Sequence, residues 1–172
     1  MVRSPTADRH SDAGPAVRGG GAVPAIVPVI LIAATSASIL STDLYAPSLP
    51  HLPAVFATSA ANVQLTMSLN ALAFGAAQLV HGPLADRFGR RPVLLAGMAA
   101  FAIFSLACAA ASSIGALMVA RVLQGLAVSS EAVVALAVIR DLYRGAQAVR
   151  IMSLYGMAIA LAPAVGPIFG GY

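Results

Sequence analysis

Four stretches of the chain contain no Asp, Glu, Lys or Arg: residues 19–42, 44–85, 92–120 and 151–172. A helix needs about 20 apolar residues to cross the hydrocarbon core of a bilayer. Each of the four runs is at least that long. Soluble domains carry a charge at roughly one position in four, whereas here charged residues make up 9% and hydrophobic residues 59%, with a mean hydropathy of +0.88. A core built from 172 residues cannot enclose that much apolar surface, so lipid must cover the remainder. The fold class that follows is all-α integral membrane, because a helix satisfies its own backbone groups in hydrocarbon.

Two of the runs are too long for one helix. Pro47, Pro50 and Pro53 remove backbone donors and stop a first span near Pro47, with a second starting near Asn62. The small-residue cluster from Ser112 to Gly115 divides the 92–120 run in the same way. Five spans result, at about 23–46, 61–82, 92–111, 114–138 and 148–172, forming a partial N-terminal helical bundle over 22–172. Residues 1–21 are polar and rich in Gly and Pro, and are expected to form a disordered cytoplasmic tail. A cleaved signal peptide is the competing reading. The apolar stretch is too long for a signal core, and the residues after Thr42 make a poor small-residue cleavage site.

The charge pattern sets the orientation. Arg3, Arg9 and Arg18 precede the first span, Arg87, Arg90 and Arg91 separate the second from the third, and Arg140, Arg144 and Arg150 separate the fourth from the fifth. The two alternate loops contain no Arg. Positive charge marks cytoplasmic loops, so the N-terminus is expected in the cytoplasm. The net charge of +4 is thereby explained by topology and gives no reason to expect nucleic acid as a partner. Cys108, the one cysteine, lies in an apolar run and reads as a small core residue. No metal-ligand cluster, phosphate-binding glycine loop or nucleophile with an accompanying base is present in the sequence, so neither an enzyme nor a cofactor is expected.

The hairpin between the second and third spans reads GPLADRFGRRP, from Gly82 to Pro92. Gly82 is expected to permit close backbone approach, Gly89 to supply a turn conformation closed to most residues, and Pro92 to open the next helix. Arg87, Arg90 and Arg91 would sit at the headgroups. Asp86 is not needed for topology; it is best explained by an ion pair or by helix N-termini docking on it.

These residues resemble the loop signature of the major facilitator superfamily, in the same place after the second span. Arg121 to Gly125, RVLQG, is similar to that superfamily's membrane-embedded Arg motif. Gly166, Pro167, Gly170 and Gly171 resemble the antiporter motif of drug exporters, with Ser153 and Ala162 standing where two of its glycines would be. With the stretch from Ser41 to Pro50 and the one from Ile139 to Tyr143, the pattern is most similar to the Bcr/CflA drug-resistance transporters. The resemblance implies a multi-pass protein of the bacterial inner membrane that exchanges small drug-like molecules for protons. It also implies twelve or more spans in two halves, so a chain of five spans would need the missing second half as a partner.

Arg121 lies about 10 Å below the outer surface if the fourth span begins at Ile114, and Asp43 falls at a similar depth, so the two could pair. A carboxyl group in an apolar cavity holds its proton more tightly than in water and releases it when a guanidinium comes close. Asp43, Arg121 and Glu131 are therefore the candidate proton-coupling residues, and Tyr45 and Gln124 the candidate substrate contacts. For each, a bland reading stands beside the functional one: a solvated helix end for Asp43, snorkelling to the headgroups for Arg121, a neutral buried acid for Glu131. Asp86 and Asp141 are expected to form a cytoplasmic latch with Arg87, Arg91, Arg140 and Arg144. Gly156, Pro163 and the antiporter-motif residues would kink the fifth span and let it pack tightly. His81 could tune the hairpin's response to pH. Three other functions share the pattern: a non-transporting fragment, a membrane adaptor and a metabolite symporter of the same fold.

Overall fold

A computed structural model describes residues 26–170, with side chains through Pro163 other than that of Asp43. The expected tail at 1–21 lies outside the described residues, as does Gly171. Six α-helices follow in order: α1 (Ile26–Asp43), α2 (Leu52–Val55), α3 (Ala60–Phe88), α4 (Arg90–Ala109), α5 (Ile114–Leu142) and α6 (Gly145–Gly170), with a single 3-10 turn (Ala46–Ser48) after α1. All but α2 are long and apolar enough to cross a membrane.

Local chemistry sets the ends. Pro47, Pro50 and Pro53 break the chain into the 3-10 turn and the one-turn α2. Ser59 caps α3, its hydroxyl accepting from the Asn62 amide at 3.3 Å, and Ser113 caps α5 by accepting from Ala116 at 3.2 Å. The helix α3 continues through Gly82 and Pro83 to Phe88, six residues beyond the span read from the sequence. The hairpin is thus reduced to Gly89, whose φ of +93° only glycine adopts without strain, and Asp86 belongs to the last turn of α3. Gly82 does not serve a close approach: a side chain there would meet nothing within 4 Å.

The most enclosed helix, α5, has 29 residues, as α3 does, and runs for about 43 Å at 1.5 Å per residue. It packs on α3 along one side and α4 along the other, while α1 and α6 pair with each other and α1 reaches across to α5. Two glycine contacts make these seams close. A Cβ on Gly125 would stand 2.3 Å from the Asn70 carbonyl oxygen of α3, and one on Gly97 of α4 would stand 1.7 Å from Ser130 Oγ. Only residues without side chains fit there. A side chain on Gly156 would meet nothing within 4 Å among the described residues.

The distribution of polarity is inverted relative to a soluble bundle. Leu72, Leu79, Ile103, Leu106 and Val119 point outward, whereas Thr66, Asn70, Arg121, Gln124, Ser129, Ser130 and Glu131 are buried. Water would reward the reverse arrangement; lipid rewards this one, since polar groups in hydrocarbon must find partners inside the protein.

Candidate functional site

Five polar residues of α5, Arg121, Gln124, Ser129, Ser130 and Glu131, point into the bundle, and two of them are ionisable. Arg121 is 5% exposed. Its Nη1 donates to Gln124 Oε1 at 3.0 Å, one turn along the same helix, and its guanidinium carbon lies 3.7 Å from the centre of the Tyr45 ring. Nε has no partner. The Arg121 carbonyl accepts from Asn70 Nδ2 at 2.7 Å, which ties the arginine's backbone to α3. Among the described residues no carboxylate lies within ion-pair distance of it. The side chain therefore does not reach for the headgroups. It is held inside by a π face and an amide oxygen, both weaker than a carboxylate as partners for a cation.

Asp43, the expected partner, is the last residue of α1, two positions before Tyr45; its side chain lies outside the described residues. Tyr45 and Gln124, read as substrate contacts, are both engaged with Arg121.

Glu131 is 2% exposed and sits ten residues further along α5. Its Oε2 accepts a 2.6 Å hydrogen bond from Ser38 Oγ of α1. The sequence offered this acid no partner in its own helix; the partner comes from α1. A carboxyl group so enclosed must be neutral or well supplied with donors.

At the other end of α5, Arg90 holds two acids together. It lies 3.4 Å from Asp86 and 2.5 Å from Asp141, joining the start of α4 to the ends of α3 and α5. This corrects the expected latch: Arg87, Arg91, Arg140 and Arg144 form no ion pair among the described residues, and Arg87 instead lies over the Phe88 ring at 5.4 Å. His81 turns away from the hairpin charges, its Nδ1 within 2.9 Å of the Ala77 carbonyl and 2.8 Å of Ser129 Oγ. Cys108 is half-buried beside Gln124. Of the antiporter motif, Gly166, Pro167 and Gly170 lie in the last turns of α6. Among the described residues no group of His, Cys, Asp or Glu could hold a metal ion.

Sequence reasoning missed Ser38, Thr66, Asn70, Ser105 and Gly97. Each is a small or polar residue in an apolar run, which signals burial against another helix but not which one.

A bundle that is apolar outside and keeps a guanidinium and a carboxylic acid within is a multi-pass membrane protein with ionisable groups inside the bilayer. Residues 31–172 match the major facilitator superfamily, and the chain belongs to that family of transporters. It is 39% identical over 132 residues to a chloramphenicol resistance protein of Pseudomonas aeruginosa, covering 76% of this chain and 32% of that one. To multidrug resistance protein D of Escherichia coli it is 32% identical over 143 residues, covering 83% and 36%. To a bicyclomycin resistance protein homolog of Haemophilus influenzae it is 34% identical over 130 residues, covering 76% and 33%. The chain thus spans about a third of the length of the curated relatives it matches.

Proposed function

We propose that the chain forms the N-terminal part of a proton-coupled exporter of small drugs in a bacterial inner membrane, with its N-terminus in the cytoplasm. The observation that carries this reading is Arg121: a guanidinium buried within the bundle and, among the described residues, with Nε–H uncommitted and no carboxylate in ion-pair range, in a chain whose relatives are named for resistance to chloramphenicol and other drugs. A cation held by weak partners is available to an acid that gains and loses a proton. We assign that role to Asp43, which precedes by two positions the tyrosine whose ring carries the guanidinium.

In this scheme, protonated Asp43 leaves Arg121 on Tyr45 and Gln124, and ionised Asp43 draws it away. Drug and proton then compete for one position of the arginine, which couples their movements in opposite directions. Glu131, buried and bonded to Ser38, is a second proton site deeper in the bundle. Arg90 with Asp86 and Asp141 closes the cytoplasmic end, Arg87, Gly89, Arg91 and Arg140 set the shape and charge of that end, and the glycines of α6 form the surface on which the second half moves.

The test is drug-driven proton release in everted vesicles from cells expressing the full reading frame that carries residues 1–172. Asp43→Asn and Arg121→Gln are each expected to abolish proton release on addition of drug while leaving membrane insertion intact. An Asp43→Asn protein that exchanges drug for protons at the parent rate refutes the coupling scheme.

A further inference from the structure

Two side chains hold the Arg121 guanidinium, and each is held in turn by a hydroxyl from another helix. Tyr45 Oη and Thr66 Oγ1 are 2.9 Å apart, and Thr66 Oγ1 also lies 2.6 Å from the Val63 carbonyl. Thr66 has one hydroxyl proton, and the carbonyl can only accept it, so the phenol must be the donor in the bond between the two side chains. The bond fixes the ring whose face lies against Arg121. On the other side, Gln124 Oε1 accepts from Arg121, which leaves its Nε2 to donate to Ser105 Oγ at 2.9 Å. Neither hydroxyl is hydrogen-bonded to the guanidinium, and they come from α3 and α4, one on each side of α5. Thr66 is fully buried.

We propose that Thr66 and Ser105 are positioning residues for Arg121. Acting through Tyr45 and Gln124, they orient the guanidinium so that the uncommitted Nε–H is presented to an exchanging carboxylate. The proposal rests on the coupling role given to Arg121 above. It also gives Tyr45 and Gln124 a task within the protein: the ring and the amide form the resting cradle of the arginine. The cradle contains no charge, so it can hold the cation while the acid is protonated without competing strongly once the acid ionises.

Thr66→Val keeps the side chain's shape and deletes the acceptor of the Tyr45 hydroxyl, Thr66→Ser keeps the acceptor, and Ser105→Ala deletes the acceptor of the Gln124 amide. In the chain reconstituted in lipid nanodiscs, phenylglyoxal modification of Arg121, followed peptide by peptide, reads how firmly the guanidinium is held. Carbodiimide modification of Glu131, on the same helix but bonded to Ser38, reads the integrity of the bundle. Thr66→Val and Ser105→Ala are each expected to speed Arg121 modification about fivefold, the population change that accompanies loss of one net hydrogen bond, with Glu131 unaffected and Thr66→Ser like the parent. Parent rates at Arg121 in both variants overturn the proposal, and so does a parallel rise at Glu131, which marks general loosening. In everted vesicles carrying the full reading frame, Thr66→Val is expected to move the pH profile of drug-driven proton release, and Thr66→Ser to restore it. Faster Arg121 modification with an unmoved profile leaves the cradle standing and removes the coupling scheme. Unchanged modification, in a protein that loses coupling on Arg121→Gln, removes the positioning role alone.

Discussion

Gly125→Ala should separate α3 from α5 and release Arg121 from its backbone anchor. The added methyl would stand 2.3 Å from the Asn70 carbonyl oxygen, 3.1 Å from its carbon and 3.2 Å from Nδ2. The first two are backbone atoms within α3, so no rotamer change relieves the clash. To reach ordinary contact distance α3 must retreat by about 1 Å. That movement lengthens the 2.7 Å bond from Asn70 Nδ2 to the Arg121 carbonyl beyond hydrogen-bond range. Overpacking costs about 1–3 kcal/mol and loss of the bond about 1 kcal/mol, so the variant should be destabilised by about 2–4 kcal/mol, or roughly 30- to 700-fold in the folded-to-unfolded ratio.

Cys108 is the sole cysteine and lies half-buried on α4, so its alkylation during titration with sodium dodecyl sulfate reports unfolding without an added probe. The midpoint should fall for Gly125→Ala. It should not fall for Gly156→Ala, where a side chain meets nothing within 4 Å. Asn70→Ala should cost about 1 kcal/mol in the parent and close to nothing on top of Gly125→Ala, because the bond it removes is already broken. Gly125→Ala with the midpoint of Gly156→Ala would show that the α3–α5 seam is not as close as described.

Three further outcomes follow from the same geometry. Gly97→Ala should cost roughly 1–3 kcal/mol by collision with Ser130, and Ser130→Gly added to it should recover part of the loss in the same titration; full tolerance of Gly97→Ala would contradict the α4–α5 contact. Ser38→Ala should destabilise the bundle by about 1–3 kcal/mol, because Glu131 loses a buried donor, and the loss should vanish in a Glu131→Leu background. Gly89→Ala should cost about 1–3 kcal/mol because its φ of +93° is strained for any residue with a Cβ, and Gly82→Ala should cost little, with refolding midpoints separating the two.

How much of this could be read from residues alone depended on whether the signal was local. Three prolines within seven residues, at 47, 50 and 53, break the first helix, the small-residue cluster from Ser112 to Gly115 separates two others, and Gly89 precedes a basic pair at a turn; all of these act over a few residues. The second span, read as 61–82, falls short because Pro83, near the end of a membrane helix, removes one donor without ending the helix, and α3 carries on to Phe88. Partners across helices were not legible. A helix that is apolar on every side gives no stripe to show which face meets its neighbour, so the pairings of Ser38 with Glu131, Thr66 with Tyr45 and Asn70 with Arg121 needed the packed structure. The same holds for Arg90. Charges clustered at one membrane face were evident, but which arginine bridges Asp86 and Asp141 depends on where α3, α4 and α5 end.

With lipid as the solvent of this chain, the proposed orientation puts the Arg-rich joint between α3 and α4 on the cytoplasmic side. Phe88→Cys in a Cys108→Ala background places one exposed thiol at that joint, and a maleimide that cannot cross the bilayer reads which side it faces. Labelling in everted vesicles with none in intact cells is the result expected. Labelling of intact cells from the outside would reverse the orientation and, with it, the direction assigned to drug and proton.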